Sequence, residues 1–207
     1  MKTSCLLLCL VAATLSVLCV AAQESKPLLI ESPLPVVASP DFKQPLDAAW
    51  KIAKGTYTPK DGVLTAAEVP ADKHVAVLWH QVGLESAVIE FEFRLDGSKS
   101  LIVGCDGNGP KGLSHVGRVS IGLKNMTIAE DSVKPSHIIA TVPLDVKPGV
   151  WHRLRVEWRG DAMAARLDGK EVRAQHAYLA TPKQRSWLAV GGATAQLREL
   201  CIRGKKP

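Results

Sequence analysis

The segment VIEFEFRL at residues 88–95 alternates strictly between apolar and charged side chains, and this alternation limits the folds open to the chain. Successive side chains of a β-strand point to opposite faces of the sheet, whereas a helix repeats every 3.6 residues. Period two therefore predicts a half-buried strand. Its apolar side chains belong to a core and are Ile89, Phe91, Phe93 and Leu95.

The rest of the chain repeats this pattern between short turns. Residues 151–159 and 163–167 also alternate, and the dipeptides Gly160-Asp161 and Asp168-Gly169 between and after them are typical of tight turns. Further strands are predicted at residues 100–105, 118–123, 126–128, 186–191 and 197–203. No segment of ten or more residues has the period of an amphipathic helix. We therefore predict an all-β fold, an antiparallel jelly-roll β-sandwich.

The chain divides into three predicted segments. Residues 1–22 begin with Lys2, continue as an apolar run and end in small residues, which is typical of a cleaved secretory signal peptide with Gln23 as the new N-terminus. Residues 23–41 are rich in proline and predict a linker or an extended arm on the domain. Residues 42–207 form a single domain. The predicted location is secreted, either periplasmic or extracellular, without stable membrane insertion.

Composition narrows the partner classes. The formal net charge is +6, but the basic residues are scattered and aromatic residues are few, so the sequence does not predict nucleic-acid binding. Three of the five cysteines lie in the predicted signal peptide. Cys105 and Cys201 remain, and the sequence leaves open whether they form a disulfide or are free thiols.

Glu90 and Glu92 are the candidate catalytic carboxylates. At positions i and i+2 of a strand they share one face, with backbones about 7 Å apart, and flexible side chains bring such a pair to the separations that glycosidases use. The alternative is cross-strand ion pairing with Arg153 or Arg155, which the alternation of residues 151–159 places on one face.

Three further patterns have both a functional and a structural interpretation. Asp106–Pro110 offers oxygen ligands to calcium, or forms an Asx turn. Four tryptophans form a sugar-stacking platform or belong to the core, and we expect no more than two to be exposed. They are Trp79, Trp151, Trp158 and Trp187.

No two histidines have metal-ligand spacing. His152 is predicted to be partly buried and hydrogen-bonded, whereas loops or strand ends hold His115, His137 and His176.

Taken in order, several of these residues resemble the secreted bacterial domain family named for 3-keto-disaccharide hydrolase. The matching segments are Trp50, Asp61–Leu64, Ile89–Arg94, Ser114–Val119, Trp151-His152, Gly160-Asp161, Leu167–Lys170, His176, Pro182-Lys183 and Gly191-Gly192. The resemblance implies a concanavalin A-like jelly roll with a carbohydrate partner. It also implies cleavage of 3-keto-glycosides by elimination and hydration, which needs a base and a metal or other cation. However, Ser100–Gly104 departs from the family pattern.

Two hypotheses follow. An enzyme would carry catalytic Glu90, Glu92 and His115 in a cleft, with a divalent metal such as calcium as the cofactor class left open. Its predicted substrate-binding residues are Arg118, Asp131, Arg153, Arg155, His176 and Lys183. A non-catalytic carbohydrate-binding or cell-surface interaction module would instead present an exposed aromatic side chain beside Arg, Asp and Asn on one face.

Overall fold

The computed structural model of the protein describes residues 27–109 and 112–207, and the predicted signal peptide lies outside them. Within this part of the chain every regular element is a β-strand or a short 3-10 helix. The strands are β1 (Val36–Ala38), β2 (Trp50–Lys54), β3 (Thr56–Lys60), β4 (Val63–Ala67), β5 (Ala76–His80), β6 (Ser86–Gly109), β7 (Gly112–Gly122), β8 (Asn125–Glu130), β9 (His137–Pro143), β10 (His152–Arg159), β11 (Ala162–Leu167), β12 (Lys170–Gln175) and β13 (Lys183–Lys205). The 3-10 helices are Pro70–Asp72 and Ala177–Ala180. No helix among the described residues is long and apolar enough to cross a membrane.

The long strands β6 and β13 pair with each other and run through both layers of the molecule. The alternation and the turn residues predict two separate strands in place of each of them, and this prediction is wrong. Gly97 and Gly192 have φ values of 85° and 105°, and the β6–β13 register shifts beside Gly192. Because glycine adopts positive φ without a Cβ clash, both strands bend at these points without ending.

The bend produces two antiparallel layers. Layer A has the strand order β12-β11-β10-β6-β13-β4-β3, with β1 also paired to β13, and it uses the first part of β6 and the last part of β13. Layer B has the order β9-β8-β7-β6-β13-β5-β2 and uses the other parts of the two long strands. Strand β12 of layer A lies against β8 and β9 of layer B without hydrogen bonding to them, so the layers face each other.

The core fills the space between the layers. The apolar side chains predicted from residues 88–95 are all buried there, as the alternation requires. Layer A contributes Ile89, Phe91, Phe93, Leu95, Leu154, Val156 and Trp158, and layer B contributes Leu78, Leu101, Val103, Val119, Ile121, Met126, Ile128 and Leu188. Each layer therefore has an outer face that turns away from this core, and the charged residues between the core positions lie on it.

The first described residues form an arm across the outer face of layer A. The backbone N–H groups of Leu28, Leu29 and Ile30 donate to the carboxylate of Glu157 at 3.1, 2.7 and 2.9 Å. Further along, β1 pairs with β13. Glu157 is completely buried beneath the arm, and its carboxylate also accepts from Arg155 Nε at 2.5 Å, so backbone donors and an arginine together satisfy its charge.

The two cysteines of the described residues are free thiols. Cys105 is buried in the core, where burial raises the pKa of its thiol to about 12. Such a thiol stays protonated at neutral pH and acts as a small apolar side chain.

Candidate functional site

The candidate site residues from the sequence do not come together in one place. They divide among the outer face of layer A, the outer face of layer B, and the end of the sandwich near the 3-10 helix Ala177–Ala180. The candidate catalytic residues Glu90 and Glu92 lie on the first face, whereas His115 lies on the second. Their catalytic roles stay predictions, but the core separates the acids from the histidine.

On layer A, arginines surround the two glutamates. Glu90 accepts hydrogen bonds from Arg155 at 2.9 Å and from Arg203 at 3.0 Å. Glu92 lies 3.9 Å from Arg153 and accepts a bond of 2.8 Å from Arg198 Nε. The cross-strand ion pairing raised as the alternative for Glu90 and Glu92 is therefore present in the structure. Each of the two carboxylates therefore has arginine neighbours on both adjacent strands.

A tryptophan completes this arrangement. The guanidinium of Arg198 lies 4.1 Å from the ring centroid of Trp151, and Arg94 lies over the same ring at 5.3 Å. We call Glu92, Arg198 and Trp151 the layer A triad. The Glu92 side chain keeps 21% of its surface exposed, so water competes for its oxygens.

Layer B carries a different arrangement around one carboxylate. Asp106 accepts hydrogen bonds from Arg185 Nε at 2.6 Å and from Trp187 Nε1 at 2.7 Å, and it lies 2.6 Å from His115 Nδ1. Its side chain is only 1% exposed. Burial by itself would raise the pKa of Asp106, but the hydrogen bonds and charges of His115 and Arg185 outweigh burial, so this pKa lies below its ordinary value.

Strand pairing brings these groups together. In the register of layer B, Asp106 on β6 lies opposite Arg185 on β13 and opposite His115 on β7, beside a bulge that follows Cys105. Residues 106–109 are thus the end of strand β6, and the Asx turn considered for Asp106–Pro110 is wrong for these residues. Nitrogen atoms of Arg185, Trp187 and His115 surround the Asp106 oxygens. They occupy the positions that a calcium ion bound to this carboxylate would need.

Two tryptophans flank this carboxylate. Arg185 lies 3.7 Å over the ring centroid of the partly exposed Trp79, and the ring of His115 lies 4.9 Å from that of Trp187. Trp187 packs flat on the backbone of Gly104, where a Cβ would be 2.2 Å from the indole. We call Asp106, His115, Arg185, Trp187 and Trp79 the Asp106 cluster. The four candidate platform tryptophans separate as expected: Trp158 and Trp187 are buried, and Trp79 and Trp151 are partly exposed.

Arg118 extends the same outer face. Arg118 is on β7 and lies opposite Gly104 of β6. A row across four neighbouring strands is thereby formed by Trp79, Trp187, Gly104 and Arg118. Arg118 donates to Asp131, which also accepts from the hydroxyl of Ser136. These two predicted substrate-binding residues therefore lie together, on the same face as His115.

At the open end between the layers lies His176, the third candidate histidine. Its Nδ1 is 3.9 Å from Glu130 Oε2, and His137 Nδ1 is 3.3 Å from Glu130 Oε1. Burial would raise the pKa of Glu130, but hydrogen bonds from Ser132, the charge of His176 and a hydrogen bond from His137 lower it below its ordinary value. Glu130 could not be recognised from the sequence, because its histidine partners lie on or next to other strands and have no recognisable spacing from it.

Lys183 and His152 are held by the fold. Lys183 is buried, donates its ammonium hydrogens to the carbonyls of Gly160 and Leu179, and has a pKa lowered by burial. Its substrate-binding role stays a prediction. His152 is buried, with Nδ1 2.5 Å from Asp168 and Nε2 3.1 Å from the carbonyl of Lys147, which confirms the prediction of a satisfied histidine.

Comparison with known proteins shows the fold. No family model and no curated protein matches the chain, so the resemblance to the 3-keto-disaccharide hydrolase family stays a prediction. Among solved structures, a carbohydrate-binding module, CBM66, from Bacillus subtilis is similar, with a TM-score of 0.61 and 13% identity over 75% of this chain and 96% of that one. A Bacillus subtilis protein of unknown function with a galectin-like fold has a TM-score of 0.62 and 10% identity over 84% and 97%. The beta-glucanase of Bacillus licheniformis has a TM-score of 0.60 and 8% identity over 82% and 98%. Together they confirm the predicted antiparallel jelly-roll β-sandwich.

Proposed function

We propose that the protein is a secreted carbohydrate-binding module and that the outer face of layer B is its sugar-binding face. The observation that carries this proposal is the Asp106 cluster. In it, one buried carboxylate orients the imidazole of His115, the guanidinium of Arg185 and the indole of Trp187. The partly exposed Trp79 lies next to them, under Arg185. Flat rings and guanidinium groups pack on the C–H face of a pyranose, and polar atoms at their edges bind its hydroxyls.

The hydrogen bonds within the cluster leave ligand-binding atoms free. Arg185 uses Nε on Asp106, and among the described residues its terminal nitrogens have no hydrogen-bond partner. His115 faces Asp106 through Nδ1, its side chain is 55% exposed, and its Nε2 likewise has no partner in that part of the chain. In a neutral imidazole, Nδ1–H donates to Asp106 and Nε2 is then an acceptor. The face therefore offers donors and an acceptor side by side, which is what a hydroxyl pair of a sugar requires.

The cluster is also oriented before any ligand binds. Arg185 and His115 are held by charge-assisted hydrogen bonds, which are stronger and shorter than neutral ones. Binding a sugar then costs less side-chain entropy than it would on a surface of mobile arginines. The similar structures support a sugar ligand, since they include a carbohydrate-binding module and a beta-glucanase.

Cleavage of 3-keto-glycosides, which the family resemblance implies, is the alternative. It would need a base and a cation around one reacting sugar. The candidate acids Glu90 and Glu92 lie among arginines on layer A, on the opposite side of the core from His115. This separation favours recognition without chemistry on the layer B face.

The test begins with the mature chain, whose predicted first residue is Gln23. We would measure its retardation in affinity gels containing β-glucan, xylan, fructan or alginate, for the wild type and His115→Ala. His74→Ala is the matched control, because His74 is an exposed histidine outside the cluster. Retardation by at least one polysaccharide, lost in His115→Ala and kept in His74→Ala, is the expected result. No retardation on any gel, or equal retardation of all three proteins, contradicts the proposal.

Product analysis separates binding from catalysis. The same protein is incubated with 3-keto-glucosides and with the retained polysaccharide, with and without divalent metal, and the products are analysed by mass spectrometry. We expect no released aglycone and no shortened chains. Products that disappear in Glu92→Gln would show that the protein is an enzyme with its site on layer A.

A further inference from the structure

We infer that Glu130, His137 and His176 form a binding site for one transition-metal dication of the zinc class. One ligand atom from each of these three residues lies within 4.8 Å of the other two. The site is separate from the Asp106 cluster, and the inference does not depend on the proposed sugar face.

The distances between the ligand atoms suit such an ion. Zinc binds imidazole nitrogen and carboxylate oxygen at about 2.0–2.1 Å, so two ligands at a tetrahedral angle lie about 3.3 Å apart. Glu130 Oε1 lies 3.3 Å from Nδ1 of His137, and Glu130 Oε2 lies 3.9 Å from Nδ1 of His176, so the carboxylate faces one imidazole with each oxygen. The ring of His137 is exposed and can rotate, so the three ligand atoms, which lie within 4.8 Å of one another, can approach one ion.

Backbone structure fixes the positions of the three residues. Glu130 ends β8 and pairs directly with His137, the first residue of β9. His176 follows β12 and begins the 3-10 helix Ala177–Ala180, so it comes from layer A. A bound ion would therefore connect the two layers at their open end, where β12 already lies against β8 and β9.

The hydrogen bonds and burial of these residues also suit a metal ligand set. The Glu130 side chain is only 1% exposed, so little water competes for its oxygens. The N–H of Tyr178 donates to Nδ1 of His176 at 3.3 Å, which requires Nδ1 to be the unprotonated nitrogen. A metal would replace this long hydrogen bond at the same lone pair.

The chemistry of the ligands selects the class of ion. Two imidazoles and one carboxylate suit zinc, copper, nickel, cobalt or iron, whereas calcium and magnesium prefer oxygen ligands alone. The N–H of Ser132 donates to Glu130 Oε2 at 2.7 Å and orients the carboxylate, as outer hydrogen bonds do in metal sites. His137 is 58% exposed, so three protein ligands leave a coordination position open to water or to a ligand oxygen.

Cobalt(II) gives a readout that does not depend on activity. We would titrate the full mature chain, free of a polyhistidine tag, with Co²⁺ and record visible absorption, which is intense for four-coordinate cobalt and weak for cobalt in water. We expect saturation at one equivalent and a higher melting temperature in the presence of the metal, reversed by a chelator. Competition with Zn²⁺ should remove the absorption.

Two variants decide whether these residues are the ligands. His137→Ala removes an exposed side chain and should weaken binding at least about tenfold while the circular dichroism spectrum stays unchanged. His176→Ala should do the same, and His74→Ala is the matched control with wild-type affinity. The inference is overturned if cobalt does not bind with one-to-one stoichiometry, or if His137→Ala and His176→Ala both bind it as the wild type does. The ion pair between Glu130 and His137 would then be the whole role of the cluster.

Discussion

Strand β13 carries two arginines that make similar contacts on opposite faces of the sandwich. Arg198 lies over Trp151 at 4.1 Å and bonds Glu92, and Arg185 lies over Trp79 at 3.7 Å and bonds Asp106. The carboxylates differ: the Glu92 side chain is 21% exposed and Asp106 is 1% exposed. Water therefore weakens the layer A pair far more than the layer B pair.

The neighbours of the two carboxylates differ as well. On layer A each glutamate lies between arginines, so the charges compensate one another along the sheet. On layer B a single acid also holds an indole and an exposed imidazole. The comparison shows that a dense run of charged residues does not by itself make a binding site. What distinguishes layer B is a buried acid whose partners keep free polar atoms at the surface.

Removal of the two acids should separate the faces most strongly. Asp106→Ala leaves the indole N–H of Trp187 buried without its acceptor and removes the partner of Arg185 and His115, so we expect a loss of about 3 kcal/mol in the free energy of unfolding. Glu92→Ala, on a more exposed and mutually compensated face, should cost about 1 kcal/mol or less. Urea unfolding of both variants measures the difference. Equal losses would contradict the distinction between the faces.

The arm on layer A gives the next largest expected effect. Glu157→Ala removes the acceptor of three backbone N–H groups, including those of Leu28 and Ile30, and we expect a loss of about 2 kcal/mol in stability. Hydrogen exchange should speed up at residues 28–30 while layer B is unchanged. If the exchange rates at residues 28–30 stay as in the wild type, the arm does not depend on this carboxylate.

A methyl group at position 104 tests the tryptophan platform. Gly104→Ala places a Cβ where the indole of Trp187 now lies, so the ring must move away from the sheet. We expect a loss of about 1.5 kcal/mol in stability, typical of overpacking, together with weaker polysaccharide binding. Gly169→Ala introduces a methyl group with nothing within 4 Å, although at positive φ, and should leave binding unchanged. Unchanged binding in Gly104→Ala would show that Trp187 does not shape the face.

The smallest expected effect is on how the stability of the fold decreases at low pH. The folded-state pKa of Asp106 lies below its ordinary value of 3.8, so its contribution to stability is present above about pH 4 and is lost as the pH falls through the folded pKa. Asp106→Asn should therefore show a shallower decrease of stability below about pH 4 than the wild type. Thermal melts between pH 2 and 6 measure this slope, and identical slopes would exclude the contribution.

Local patterns were sufficient to predict the fold, because alternation reports directly on which side chains are buried. The turns at Gly160-Asp161 and Asp168-Gly169 and the buried face of residues 88–95 all follow from neighbouring residues. The continuity of β6 and β13 could not be predicted, since Gly97 and Gly192 read equally well as turns and as bends. The sequence therefore predicted four strands where the structure has the two long strands β6 and β13.

The site needed information that no local pattern contains. Asp106 meets Arg185 only through the register of β6 with β13, and the two residues are 79 positions apart in sequence. Asp106 also lies in a stretch of Gly and Asn that resembles a loop. Glu90 and Glu92 were easy to recognise as a pair on one strand face, because their alternation is visible in the sequence. The sequence left open whether they are catalytic or are paired with arginines, and only the register of the neighbouring strands shows the ion pairs.

Polysaccharide binding by Arg185→Ala and Arg198→Ala tests the central claim most directly. Both variants remove an arginine of β13 that lies over a tryptophan and donates to a carboxylate of β6, so they differ mainly in the face they affect. With the polysaccharide that the wild type binds best, calorimetry should show at least tenfold weaker binding for Arg185→Ala and unchanged binding for Arg198→Ala. Weaker binding for Arg198→Ala alone would place the sugar on layer A and contradict the account.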